Sequence, residues 1–403
     1  MAQLPLDGVR VADFGWILAA PQCTAWQGVM GAEIIRIESH QRLDPIRFLG
    51  QDPQNLKGPD GSPIFNGLNY SKKSITLNLG QPTGVSLAKD IIRQSNIVVE
   101  NFTGGVMKRW GLSYAELAQI KPDIIMISAT PVGQHGPDSH CVGWGPITQA
   151  SAGICHLTGY TDGPPVSLGG TWPDYMVGVV MAYAVLAALY HTRQTGEGQY
   201  IDLAMAEVVT SMLPEAIMDY AMNGRDRGRR GNQDDIMVPH NVYRCQGEDR
   251  WVAIAVESEE EWRNLCQATG HSEWLEDTRF QDRTGSKAHE QELDALLTAW
   301  TRRRTQTDIM SLLQNAEVAA TPAYDTEGLI TDPQFQHREY LVTPGHPVTG
   351  DHPVAAIPGK YSAFEPRYTS TPGIGQDNDD IFSNLLGLSS HEIAQLTEEK
   401  IIY

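Results

Sequence analysis

A chain of 403 residues exceeds one simple core and points to about two domains. Thirty basic residues against 49 acidic ones leave a net charge of −19, which sets the surface as a whole against nucleic acid and anionic membrane. Any polyanionic ligand must therefore meet a local basic cluster. The opening MAQLPLDGVR has no basic stretch leading into an apolar one, so no secretory signal is expected. The apolar run at 175–190 is too short to span a bilayer and reads as a buried helix. Five scattered cysteines without C-x-x-C fit reduced thiols in a cytoplasm.

In chain order, VRVADF (9–14) reads as a strand. Pro21 opens a helix that Gly31 stops, since proline suits a first turn and glycine the position past the last. EIIRIE (33–38) is the next strand. A loop rich in Gly, Pro and Asp (44–66) precedes an extended 74–79 and a helix at 84–94. IVVENF (97–102) and IIMISA (124–129) are short apolar runs typical of buried parallel strands. This alternation predicts an α/β fold with an open parallel sheet wound in the nucleotide-binding manner. No G-x-G-x-x-G follows the first strand, so a dinucleotide site is not supported.

A long helix from Tyr175 toward Thr192 leads through TGEGQ to a strand at 200–203. The Gly- and Arg-rich 223–232 reads as a linker. Beyond it come a hairpin (241–245 and 251–256), a helix with a Ser258/Glu261 capping box, and helices near 290–302 and 306–316. The tail after about 330 is rich in Pro, Gly and His and ends in a helix capped by Ser389 and Glu392.

No metal site is expected. His135 and His140 stand five apart with Gly136 and Pro137 between them, so no helix presents both on one face. No G-x-S-x-G and no Walker A sequence occurs. Asp174 stands out because it follows Gly169, Gly170 and Pro173 at the start of the longest apolar helix. The ordinary role for an Asp there is an N-cap. The alternative is a carboxylate kept ionised by the helix dipole and free amides, with a pKa near the ordinary ~3.9, able to attack a carbonyl without a general base.

The segments DGPPVSLGGTWPDYMVG and LAALYHTRQTGEGQYIDLAM resemble the active-site region of the class III CoA-transferases, the family of formyl-CoA, carnitine-CoA and bile-acid CoA transferases. LDGVRVADF, MGAEIIRIES, NYSKKSITLNL, VVENFTGGVMKRWGLSYAEL and LLGLSSHEIAQL extend the likeness over nearly the whole chain. The resemblance implies that Asp174 is the catalytic nucleophile. It would attack an acyl-CoA thioester to give a mixed anhydride, then an aspartyl-CoA thioester, so that CoA passes to a carboxylic acid without ATP. It places Ile17, Ala19, Lys72, Lys73, Asn101, Phe102 and Arg109 against CoA, with Lys108 nearby. Trp16, Leu18, Trp144, Gly169, Gly170 and His240 would border the substrate pocket, the glycine amides as oxyanion donors. No permanently bound cofactor is implied; coenzyme A and acyl-CoA are substrates.

The same resemblance implies a Rossmann-like large domain from both chain ends (1–224, with 326–403 returning to it), a small α/β domain at 225–325, and an interlocked ring-like homodimer. The partners expected are acyl-CoA, a small carboxylic acid and a second copy of the chain, with no nucleic acid and no membrane. Two rival functions remain within the family's fold. An acyl-CoA racemase would need a histidine where Trp144 stands, and a non-catalytic CoA-binding subunit would not need Asp174. Trp16 and Leu18 replace a histidine and a glutamine of the formyl-CoA transferases, and Val142 replaces a lysine. Together with Trp144 and Trp172 they make the pocket more apolar, suited to a larger branched, aromatic or dicarboxylic acyl group, for which succinyl-CoA is a candidate donor.

Overall fold

The computed structural model describes residues 3–403. The chain divides into two compact units, the first formed by residues to Cys155, Ser167–Arg225 and Glu339–Tyr403, the second by His156–Val166 and Asp226–Arg338. The second unit thus reaches further along the chain than 225–325 and takes in a short earlier segment.

The first unit is built on six parallel strands, β1 (Arg10–Asp13), β2 (Glu33–Glu38), β3 (Lys73–Thr76), β4 (Ile97–Glu100), β5 (Ile125–Thr130) and β6 (Gln199–Ala204). They lie in the order β3-β2-β1-β4-β5-β6. This is the doubly wound order, in which the winding reverses between β1 and β4 and ligands bind beyond the strands' carboxyl ends. Strands β2, β4 and β5 are Val- and Ile-rich and buried on both faces, as a sheet covered by helices on each side requires. One face packs against the Ala19–Val29 and Trp172–Thr195 helices. The other packs against the Pro82–Arg93 and Tyr114–Ile120 helices and the chain end, with Phe382, Ile401 and Ile402 buried there.

Trp172–Thr195 is the one described helix long and apolar enough to cross a membrane by length and composition. Its buried stripe (Val177, Met181, Val185, Ala188, Leu189) follows the helical period and sits in the core. Gly178 lets it come close to the Ala19–Val29 helix, because a Cβ there would stand 2.7 Å from the Ala19 carbonyl oxygen.

The second unit carries an antiparallel sheet, β7 (His240–Arg244), β8 (Trp251–Ala255) and β9 (Ala319–Pro322), in that order. The Glu259–Thr269, Glu290–Thr301 and Gln306–Gln314 helices cover it over a core that includes Trp262, Trp274, Phe280 and Trp300. The Ser258/Glu261 and Ser389/Glu392 capping boxes both form.

Candidate active site

At the reversal between β1 and β4 lies a cavity of about 800 Å³. The loop after β1 contributes Trp16 and Ile17, β2 and its following loop Glu38 and Arg42, the loop after β4 Asn101 and Phe102. Arg109 and Trp144 complete the wall. Phe102 meets Trp16 and Trp110 edge-on, at 5.7 and 5.4 Å between ring centres.

The loop after β1 is held by side chains at nearly every polar backbone atom. Gly15 N–H donates to Asp13 Oδ1 at 2.8 Å, and the Gly15 carbonyl accepts from Arg36 at 2.8 Å. Asn101 accepts from Trp16 N–H at 2.8 Å and donates to the Trp16 carbonyl at 2.9 Å. Ile17 N–H donates to Asp44 Oδ2 at 2.9 Å. Ile17 itself stands at φ 65°, a left-handed conformation costing a β-branched residue about 1–3 kcal/mol unless its surroundings impose it.

Those surroundings are an ionic cluster buried beneath the groove. Arg36 pairs with Asp44 at 2.8 Å, and Arg47 with Glu38 at 2.5 Å, all four side chains wholly or almost wholly enclosed. Burial alone would raise the Glu38 pKa, but Arg36 and Arg47 more than offset it and bring it down to about 2. The cluster therefore stays ionised and fixes where Trp16 and Ile17 face the groove.

Lys72 belongs to this cluster, which corrects the expectation that it meets a CoA phosphate. Its ammonium is fully buried, 3.0 Å from Asp13 Oδ2 and 2.9 Å from Asn69 Oδ1. Burial lowers its pKa to about 8, with Asp13 opposing. Lys73 is also turned from the groove, held by Glu33 at 2.9 Å and Asp380 at 2.8 Å. Leu18 packs with Ile46, Phe65 and Leu68, and Ala19 lies in the sheet core, so neither side chain lines the cavity. His240 lies in the second unit, its Nδ1 2.6 Å from the Asn232 carbonyl.

The groove's free cations are Arg42 and Arg109. Among the described residues neither guanidinium has a carboxylate partner, and Arg42 lies 5.4 Å from the centre of the Trp16 ring. Stacking of this kind leaves the N–H edges open to an anion. Arg42 carries no sequence signal, since a single charge in an irregular loop has no period to set it apart.

Asp174 occupies the third position of the Trp172–Thr195 helix, where Thr171 is the capping residue and no side chain makes a cap bond. The carboxylate is thus not the N-cap that its place in the sequence suggests. It is nearly buried, at 8% exposure, and its Oδ2 is enclosed without any hydrogen-bond partner. Desolvation raises its pKa to about 6, against a smaller lowering by its own backbone N–H. The expectation of an ordinary value held down by the helix end is corrected, although a value of about 6 still favours the ionised form at pH 7.

Beside it begins the Gly145–Ser151 helix, directly after Trp144 of the groove wall. A Cβ on Gly145 would stand 2.4 Å from Asp174 Oδ2 and 3.0 Å from the Gly170 carbonyl oxygen. Gly169 and Gly170 are exposed, with open space where side chains would stand. An unpartnered, nearly buried and mainly ionised carboxylate, packed against the residue that follows Trp144 of the groove wall, has the chemistry for attack on an activated carbonyl.

Residues 6–378 match the profile of CoA-transferase family III. The chain is 32% identical to the succinyl-CoA–D-citramalate CoA-transferase of Chloroflexus aurantiacus over 99% of its own length and 98% of that protein. It is 29% identical to the beta subunit of succinyl-CoA–L-malate CoA-transferase from the same organism, again over 99% and 98%. Among solved structures, a CAIB/BAIF family protein from Brucella suis superposes with a TM-score of 0.88 at 27% identity, covering 95% of this chain and all of that one. The chain belongs to CoA-transferase family III. It is an enzyme of the kind that moves CoA between a thioester and a carboxylic acid.

Proposed function

We propose that the chain transfers CoA from succinyl-CoA to a second carboxylic acid, with Asp174 as covalent nucleophile. The observation that carries this reading is the Asp174 carboxylate, enclosed beside Gly145, lacking a partner on Oδ2 and ionised at neutral pH. A resting carboxylate bonded on all sides would serve structure; this one is left free to react.

In the proposed sequence an Asp174 oxygen bonds to the thioester carbonyl carbon and the C–S bond breaks, giving an acyl-aspartyl anhydride and CoA thiolate. The thiolate then bonds to the aspartyl carbon and expels the donor acid. The acceptor acid repeats both steps in reverse order. Each stage exchanges one activated acyl bond for another, which divides the reaction into lower barriers.

Succinyl-CoA is favoured because both relatives named above use it with hydroxylated dicarboxylic acids, and because the groove joins aromatic walls to unpaired cations. The purified chain alone, offered succinyl-CoA and a panel of acids, should use dicarboxylic acceptors in preference to oxalate. Best activity with formyl-CoA and oxalate contradicts the substrate assignment. Activity only after a second, homologous chain is added identifies a subunit instead. A racemase is disfavoured because the place of its histidine is filled by Trp144, exposed on the groove wall.

Arg42 and Arg109 are proposed to take the CoA phosphates, and Asn101 and Phe102 the wall beside the pantetheine. Loss of one charge-assisted bond costs about 1.5–3 kcal/mol. Arg42→Ala should therefore raise KM for the acyl-CoA about 10-fold while kcat stays within about 2-fold. An unchanged KM removes Arg42 from the binding site.

A homodimer is also proposed. Tyr183, Leu186 and Tyr190 on the Trp172–Thr195 helix stand exposed, as do Ile217, Met218 and Met222 on the Pro214–Asn223 helix. So much apolar surface is unusual on a monomer, and a monomeric elution volume in size-exclusion chromatography contradicts the proposal. All five cysteines are free thiols, which fits a reducing cytoplasm.

A further inference from the structure

Two polar atoms are both buried and both lack partners: Asp174 Oδ2, an acceptor that a Cβ on Gly145 would approach to 2.4 Å, and Gln149 Nε2, a donor on the helix that Gly145 opens. Gln149 is fully buried on the Gly145–Ser151 helix. Its Oε1 accepts from the Leu168 N–H at 2.8 Å. Because an N–H demands an acceptor, that bond fixes which end of the amide is oxygen and leaves the two Nε2 hydrogens unused. A buried polar group without a partner is costly, so a carboxylate oxygen and an amide nitrogen left unpaired on either side of Gly145 call for a reason.

The helix geometry supplies one. Gln149 follows Gly145 by four residues, so both lie on one face about one turn apart. Side chains lean toward a helix's N-terminus, and for Gln149 that direction leads over Gly145, which has no side chain to fill the space. Gly145 is the residue whose missing Cβ makes room for Asp174 Oδ2. Thr148 also has a buried unpartnered hydroxyl, but no hydrogen bond ties its side chain to the loop leading to Asp174, as Leu168 ties Gln149.

We propose that Gln149 is a catalytic residue whose Nε2–H stabilises the oxyanion formed on Asp174's own carbonyl oxygen. This rests on Asp174 being the nucleophile. With Oδ2 enclosed, the other carboxylate oxygen makes the bond to the acyl group, and Oδ2 remains as the carbonyl oxygen of the anhydride. When the CoA thiolate bonds to the aspartyl carbon, the carbonyl electron pair moves onto Oδ2. Collapse restores the C=O bond as the C–O bond to the donor acid breaks. One negative charge enters on sulfur and leaves on the carboxylate, and in between it sits on Oδ2 beside the idle amide. Catalytic hydrogen bonds are often long in the free enzyme and tighten as charge develops. The donor lies on the protein side of the reacting carbon, so the substrate need not reach Gln149.

The test is a rapid-quench measurement of the Asp174–CoA thioester, formed from succinyl-CoA by wild type, Gln149→Met and Gln149→Glu. Gln149→Met, which fills the space without a donor, should form it about 10²–10³-fold more slowly, with CoA affinity within about 3-fold. Gln149→Glu keeps an acceptor for Leu168 and can donate only when protonated, so its rate should fall steeply as pH rises through the neutral range while that of wild type does not. If Gln149→Met does not fold, the pH profile of Gln149→Glu decides. A Gln149→Glu rate equal to wild type across that range overturns the proposal and leaves Asp174 as nucleophile intact. Absence of any adduct in wild type overturns the Asp174 reading itself.

Discussion

Asp174→Asn should abolish turnover and at the same time make the folded chain more stable at neutral and alkaline pH. Removing the proposed nucleophile is expected to lower kcat by at least about 10⁴-fold, because the proposed anhydride needs the Asp174 oxygen. The gain in stability follows from the sign of the pKa shift. Burial raises the folded-state value from 3.8 to about 6, so the fold disfavours the ionised form. Above about pH 6 the folded state bears a cost of about 2–3 kcal/mol, which shrinks as pH falls through 6 and is gone below about 4. Asparagine never carries that charge. The melting temperature of the variant should exceed that of wild type at about pH 8, and the gap should close toward pH 4. Loss of activity with an equal loss of stability at every pH would instead make Asp174 a structural residue.

Gly145→Ala should cost about 10²-fold in kcat with little change in CoA affinity. Gly145 opens a helix without a left-handed backbone, so alanine suits its conformation and is the better helix former. The new methyl would nevertheless stand 2.4 Å from Asp174 Oδ2 and 3.0 Å from the Gly170 carbonyl, and one of them must give way. A displacement of about 1 Å at a reacting group is enough for a loss of this size. Arg42 and Arg109 lie elsewhere on the groove wall, so KM for acyl-CoA should stay within about 3-fold. Activity within about 3-fold of wild type would show that the carboxylate moves freely and that this packing does not aim it.

The parallel sheet was legible in the sequence because its strands are buried on both faces. IVVENF and IIMISA are apolar without alternation, and EIIRIE is strand β2 over the same six residues. The family likeness, spread over ordered segments, agrees with the match over residues 6–378. What the sequence conceals is which charges point inward. Lys72 and Lys73 are adjacent and look equally exposed, yet one is sealed against Asp13 and the other bridges Glu33 and Asp380. Arg36, Arg47 and Asp44 sit in a strand and a loop that, as text, resemble any solvated surface. Their burial is decided by residues far away in the chain, such as Asn69 and Phe65. The upward shift of the Asp174 pKa was hidden for the same reason: a position near a helix start suggests a lowered value, and only packing shows that desolvation wins. Gly145 and Gln149 gave no signal at all, since neither residue type is reactive and their importance lies in the space one leaves and the donor the other keeps free.

The most direct test of the covalent mechanism is mass spectrometry of the peptide bearing Asp174 after brief incubation with succinyl-CoA. The expected result is a mass increase equal to CoA less one water, located on Asp174, reversed by added acceptor acid and missing from Asp174→Asn. An unmodified peptide from enzyme that is turning over, or the same adduct on another residue, would contradict it.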